Sequence, residues 1–278
     1  MSKHYVRVII SITFIILIIT WIIWGNSALE LNTYGITSAA IPESFDNYRI
    51  AHVSDLHNTD NKQLLNMLRE AKPDVIAITG DLIDSRRTDI PFALQFAEEA
   101  MKIAPCYYVT GNHESRISEY ETLKSGLITL GVVVLDNRKV IIERSDEIIA
   151  IAGVNDPSFH TDYLYNDPAS IMNTNLESLI EADTYTILLA HKPELFVTYV
   201  RNGVDLVLSG HMHGGQFRIP FLGGLYAPSQ GFFPQYDSGT FTKDNTTMVV
   251  SRGIGNSLFP FRINNRPEII LIELKAIH

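Results

Sequence analysis

Five short apolar runs recur along the chain, at residues 48–54, 75–79, 107–110, 186–189 and 204–208, and each stops at or just before a glycine, an acid or a histidine. Near-continuous apolar runs of about four to eight residues are the mark of strands covered on both faces. Between them the spacing changes to helical. Residues 61–71 place Leu64, Leu65, Met67 and Leu68 on one face and end at Lys72-Pro73. Residues 91–102 repeat the pattern, with Asp89 as N-cap and Pro91 in the first turn. A third helix is predicted over 118–130, closed by Gly131. Strand and helix thus alternate from 49 to 110, which argues for βαβ units.

Further along, strands are predicted at 132–135, 139–143 and 147–153, a helix at 167–181, and a short helix at 193–201 closed by Asn202-Gly203. The last third reads as β, with candidates at 216–219, 239–242, 247–251 and 268–274. The fold class is therefore α/β, with two packed sheets flanked by helices, in one catalytic domain spanning 48–278.

The N-terminus differs in kind. Residues 8–24 form an uncharged run of 17 residues, at the lower edge of what crosses a bilayer as a helix, with Trp21 and Trp24 near its end. Lys3 and Arg7 precede it, and no Lys or Arg occurs between Gly25 and Tyr48. The positive-inside rule then leaves residues 1–7 in the cytoplasm and the catalytic domain outside, anchored to the cell membrane by a single transmembrane helix. The alternative is secretion after signal cleavage, for which Gly25-Asn26-Ser27 and Ala28 offer small residues, although the apolar run exceeds the usual core of about 7–15 residues. Residues 25–47 read as a connector, part of which, at 29–34, is a candidate edge strand.

Charge removes one class of partner. There are 31 acidic against 22 basic side chains, a net charge of -9, and no Lys/Arg block, so nucleic acid is not expected. The lone Cys106 excludes an intramolecular disulfide and a thiolate-rich zinc site.

Candidate chemistry sits where the runs end: Asp55-Leu56-His57, Gly80-Asp81, Gly111-Asn112-His113-Glu114, Ala190-His191 and Gly210-His211-Met212-His213. Singly each is weak, since Gly-Asp is an ordinary turn and a lone histidine is commonly a satisfied loop residue. In order, each after a strand, they converge on one crevice, because loops at the carboxyl ends of strands gather in such sheets. Two-metal hydrolases hold their ions about 3.5–4 Å apart and need a bridging ligand, for which Asp81 is the candidate. Asp55, His57 and His213 then complete one metal, and Asn112, His191 and His211 the other. Mixed nitrogen and oxygen donors without sulfur suit Mn, Zn or Fe(II). Attack by a metal-bridged hydroxide would follow, with His113 as general acid and Glu114 or Asp84 orienting its ring.

The ordered set D-x-H, G-D, G-N-H-E, H and G-H-x-H resembles the calcineurin-like metallophosphoesterase superfamily, with Glu114 where Asp is commoner. The resemblance covers 49–216 closely and implies a four-layer αββα sandwich with a dinuclear metal centre that hydrolyses phosphoesters. The following Gly214-Gly215-Gln216 and residues 220–228 are similar to a bacterial branch of membrane- or wall-associated phosphodiesterases, some resembling UDP-2,3-diacylglucosamine pyrophosphatases. A membrane anchor points the same way, to a phosphodiester or pyrophosphate of the envelope rather than a soluble metabolite. Phosphomonoester hydrolysis and a non-catalytic metal-binding sensor or scaffold share the same ligands and remain alternatives. The aromatic stretch 217–236 and the loop 155–166, with Asp156 and Tyr163, are candidate substrate walls.

Overall fold

The structure, a computed structural model, describes residues 3–60, 62–160, 167–256 and 259–277. The apolar N-terminal run lies within one long helix, α1 (Lys3–Ser27), none of whose described residues is buried. Immediately after it β1 (Glu30–Ser38) enters the domain as an edge strand, so much of the predicted connector is part of a sheet. Then follow β2 (Arg49–Val53), α2 (Leu64–Ala71), β3 (Val75–Thr79), α3 (Ile90–Met101), β4 (Cys106–Val109), α4 (Tyr120–Thr129) and β5 (Val133–Val134). The second half holds β6 (Arg138–Arg144), β7 (Glu147–Gly153), α5 (Pro168–Leu176), β8 (Thr186–Leu189), α6 (Phe196–Arg201) and β9 (Leu206–Ser209). Two small hairpins come next, β10 (Arg218–Ile219) with β11 (Gly223–Gly224), and β12 (Tyr226–Ala227) with β13 (Gly231–Phe232). The chain closes with β14 (Gly239–Lys243), β15 (Thr246–Val250) and β16 (Glu268–Ala276).

The strands form two six-stranded mixed sheets, in the orders β1-β16-β2-β3-β4-β5 and β14-β15-β9-β8-β7-β6. Alternation along each central strand sets the layers. On β3, Val75 and Ala77 face the second sheet while Ile76 and Ile78 face helices α2–α4; on β9, Leu206 and Leu208 face inward while Val207 meets the α5–α6 side. This is the expected four-layer αββα arrangement. Each fully buried Ile or Leu in these layers contributes about 1.5–3 kcal/mol by leaving water.

Several boundaries move for local reasons. Asp89 does cap α3, accepting the N–H of Phe92 at 3.0 Å, and Asp167 caps α5. The helix predicted to 181 stops at Leu176, where the N–H of Leu179 turns back to the Leu176 carbonyl and buries Leu179. The strand predicted from 216 starts at Arg218, because Gln216 has φ 57° and cannot lie in an extended ladder.

What matters for the site is direction. Strands β2, β3 and β4 run parallel in one sheet, β8 and β9 run parallel in the other, and their carboxyl ends meet at one end of the sandwich. His191, after β8, reaches across to the Thr79 carbonyl at the end of β3, with 2.7 Å between Nδ1 and oxygen.

Candidate metal centre

Five of the predicted ligands have left-handed backbones: Asp55 (φ 52°), His57 (47°), Asp81 (49°), His211 (69°) and His213 (47°). Such conformations cost about 1–3 kcal/mol each in non-glycine residues and persist only where the surroundings hold them. Here they turn the side chains off the strand ends toward a common point. Glycine makes room for them. A Cβ on Gly111 would collide with the Asp81 carboxylate, and one on Gly210 with Ser54 and the Asp55 carboxylate.

The carboxylates are held from behind. Asp55 accepts the His211 N–H at 3.0 Å and the Ser54 hydroxyl at 2.6 Å, and Asp81 Oδ1 accepts the His113 N–H at 2.8 Å. Their remaining contacts are with imidazoles. His213 Nε2 stands 3.2 Å from Asp55 Oδ1 and 3.2 Å from His57 Nε2. Asp81 Oδ2 lies between two rings, 3.6 Å from His57 Nε2 and 3.3 Å from His191 Nε2. Three overlapping sets result: Asp55, His57 and His213; His57, Asp81 and His113; and Asp81, His191 and His211, the donor atoms of each set lying within 4.8 Å of one another.

The electrostatics bear on what these residues could hold. Burial, the largest single influence, opposes ionisation of Asp55 and Asp81, yet the surrounding imidazoles, His213 foremost at the first and His191 at the second, together outweigh it and hold both carboxyls far below their usual range. Burial likewise opposes a charge on His191, but Asp81 overrides it and raises the ring well above its ordinary value. Because the Thr79 carbonyl takes the proton of His191 Nδ1, Nε2 faces the Asp81 oxygen, through a second proton when the ring is charged and through its lone pair when the ring is neutral. His191 Nε2 and Asn112 Oδ1 are both buried without a hydrogen-bond partner. Buried acceptors converging on one another are balanced by protons or by metal cations, and the donor set of imidazoles, carboxylates and one amide fits divalent ions of the Mn, Fe(II) or Zn type.

Residues 48–215 match the calcineurin-like phosphoesterase family. The chain belongs to that family. It is therefore a metallophosphoesterase, a hydrolase, and the family uses a dinuclear metal centre. It is 30% identical over 261 residues to the uncharacterized metallophosphoesterase YkuE of Bacillus subtilis, covering 89% of this chain and 86% of that one. Phosphodiesterase YaeI of Escherichia coli is 30% identical over 74% of this chain and 72% of its own length. A transmembrane protein with metallophosphoesterase domain from Danio rerio is 30% identical over 88% of this chain, which spans 60% of that relative.

The metallophosphoesterase site has a mouth of about 360 Å³, lined by Asp81, Asn112, His113, His211 and His213, by Arg86, Arg116 and Lys192, and by Tyr226, Pro228 and Ser229. Every predicted ligand is thus buried in the centre or borders the cavity. At His113 the Ser85 N–H donates to Nδ1 at 3.0 Å, and Asp84 Oδ1, one of the two expected orienters, is 3.6 Å away. Glu114 does not touch the His113 ring. Its oxygens accept the N–H groups of Asp81 (3.0 Å), Gly111 (2.8 Å), Leu82 (2.7 Å) and Ile83 (3.3 Å), so it braces the two loops that carry Asp81 and Asn112. Burial and then the Asp81 charge push it up to about 7.

Sequence reasoning missed two contributors. Lys192 is buried beside the cavity, 3.8 Å from Asp156. Arg262 is buried behind His213 and shares the Gly255 carbonyl with that ring. Neither carries a motif, though Lys192 directly follows His191. Of the stretch 217–236, Tyr226, Pro228 and Ser229 line the mouth, Tyr226 being its aromatic member there; of the loop 155–166, Asp156 and Ser158 lie near it, while Tyr163 lies outside the described residues.

Proposed function

We propose that this metallophosphoesterase is a membrane-anchored phosphodiesterase whose domain lies outside the cytoplasm and cleaves a phosphodiester or pyrophosphate carried by a lipid of the envelope. The observation that carries the reading is Asp81 Oδ2, common neighbour of His57 and His191 at the floor of an open cavity. On this reading Asp55, His57 and His213 hold one ion, Asn112, His191 and His211 hold the other, and Asp81 serves both. When bound, the ions would activate water near neutral pH and offset charge on the phosphoryl oxygens.

The chain's own residues do the rest. Arg86, Arg116 and Lys192 draw the phosphoryl group to the floor of the mouth. The Ser85 N–H occupies His113 Nδ1, which leaves the proton on Nε2. Burial lowers His113 to about 4, and an arriving phosphoester anion works against that; once the ring takes a second proton at Nδ1, giving up the Ser85 N–H bond, Nε2 can hand its proton to the leaving oxygen and the ring returns to its neutral form. Tyr226 and Pro228 give the mouth an apolar wall beside its cations, which suits the second ester substituent of a diester. The relative named a phosphodiesterase supports the same substrate class.

Membrane attachment is supported by α1, 25 residues long, apolar and unburied, and by the relative named a transmembrane protein. The three cations at the mouth also favour a second reading, a dianionic phosphomonoester. Purified full-length protein, stripped of metal and supplied with Mn, Zn, Fe(II) or Mg, is to be assayed on an aryl phosphodiester and an aryl phosphomonoester. Metal-dependent turnover favouring the diester supports the proposal; preference for the monoester replaces it; no turnover with any metal leaves a metal-binding sensor.

A further inference from the structure

The root of α1 is tied to the segment that flanks the catalytic mouth. Asn26 donates from Nδ2 to the Arg262 carbonyl at 2.9 Å and accepts the Arg262 N–H at 2.6 Å. Arg266 lies over the Trp24 ring, 4.6 Å from its centre. Phe259 and Phe261, just before Arg262, pack against Phe217 with ring centres 5.2 and 5.5 Å apart. Phe217 leads into the β10–β11 hairpin, whose tip is Phe221-Leu222. In the next hairpin Tyr226 packs on Phe232 at 5.3 Å, and Tyr226 is also a wall of the mouth. The two groups of rings are joined through the backbone, where the Leu225 N–H donates to the Phe217 carbonyl at 2.7 Å, so contacts run from the helix root to the cavity wall.

Much of it faces outward. Phe221 is fully exposed, Leu222 is 67% exposed, Phe232 71% and Phe233 58%. Scattered exposed apolar residues are ordinary, but bulky ones concentrated on two hairpins beside a site mark an interaction surface. We propose that Phe221, Leu222, Phe232 and Phe233, with Phe259 and Phe261, form a rim that sinks into the interfacial layer of the bilayer that α1 crosses, so that the catalytic mouth opens at the membrane surface. Lipid is the occupant because the segment bearing Phe259 and Phe261 also receives the end of α1, where a spanning helix would put Trp21 and Trp24 at the level of the lipid headgroups. Aromatic side chains held there reach about 5–10 Å into the headgroup and acyl boundary. A lipid-borne phosphoester would then reach the site without leaving its leaflet. The inference rests on the proposed spanning role of α1.

The test uses the full chain in vesicles of phosphatidylethanolamine and phosphatidylglycerol. Single cysteines replace Phe221 and Phe232 on the rim, Phe14 within α1, and Ile128 on α4 (Phe221→Cys, Phe232→Cys, Phe14→Cys, Ile128→Cys), and each carries a fluorophore; the native Cys106 is buried. Quenching by nitroxide lipids is compared with quenching by aqueous iodide. Positions 14, 221 and 232 quenched by lipid and shielded from iodide, with 128 the reverse, support the rim. Lipid quenching at 14 alone, with 221 and 232 open to iodide, overturns the rim and leaves the anchor. Positions 221 and 232 shielded from iodide yet untouched by lipid overturn it in favour of a protein cover. No lipid quenching at 14, 221 or 232 removes the anchor and the rim together.

Discussion

His52 offers a test of burial that is independent of the metals. It lies in β2 between β16 and β3, fully buried, with Nε2 2.8 Å from the Thr79 hydroxyl and Nδ1 without a partner. Burial lowers its pKa from 6.5 to about 3, with the Asp55 charge opposing. Between those values the unfolded chain binds a proton that the folded chain refuses, so stability rises with pH across the window and is lost as pH falls below 6.5. Each unit is worth about 1.4 kcal/mol, which makes the loss roughly 2 kcal/mol at pH 5 and roughly 3 kcal/mol at pH 4. A loss of that size is a sizeable part of an ordinary domain's stability of about 5–15 kcal/mol. His52→Gln keeps a polar group for Thr79 and removes the titration. Denaturant melts of both proteins, stripped of metal and held in the same detergent from pH 4 to 7.5, isolate this one group, because every other titration is common to both. The stability difference should shift in favour of the variant by about 1.4 kcal/mol for each unit below 6.5. A difference that does not change with pH would refute the reasoning and mean that the folded protein admits the proton.

The other predictions concern the site and the core. Replacing His113 with Ala should cut kcat by about 10²–10⁴ while leaving metal content unchanged, as measured by turnover and metal analysis on one preparation; loss of metal would show a ligand instead. Asp81→Asn should abolish turnover and lower the number of bound ions, read by the same metal analysis. Stripping metal from the wild type should lower its melting temperature, because an ion at about 100 times its Kd stabilises the fold by about 2.7 kcal/mol, and an unchanged midpoint would argue against a built site. Leu189→Ala, at the fully buried end of β8 between the sheets, should cost about 2–5 kcal/mol, seen as a drop in Tm of about 4–20 °C.

Much of the protein is legible before folding because the relevant physics is local. The period of the apolar residues marked β3, β7, β8 and α3, the Asp89 cap follows from a single side chain, and the clusters at strand ends announce a metal site by their order. The long uncharged run likewise declares a membrane-length helix from composition alone. Tertiary structure decided what depends on residues far apart. The left-handed backbones of Asp55, Asp81 and His213 fall on residue types that tolerate them, but which positions adopt them depends on the loops packed around them, as Gly111 against Asp81 and Gly210 against Asp55. Glu114 reads as a neighbour of His113 in sequence, yet its carboxylate turns to four backbone N–H groups, where an acceptor was needed more. His52 resembles any other histidine until burial denies it a proton. Arg262 meets His213 across 49 residues, and Asn26 meets Arg262 across 236. Charge, hydrogen bonding and desolvation act through space, so a one-dimensional pattern determined which groups were available and only the folded chain decided which of them face each other.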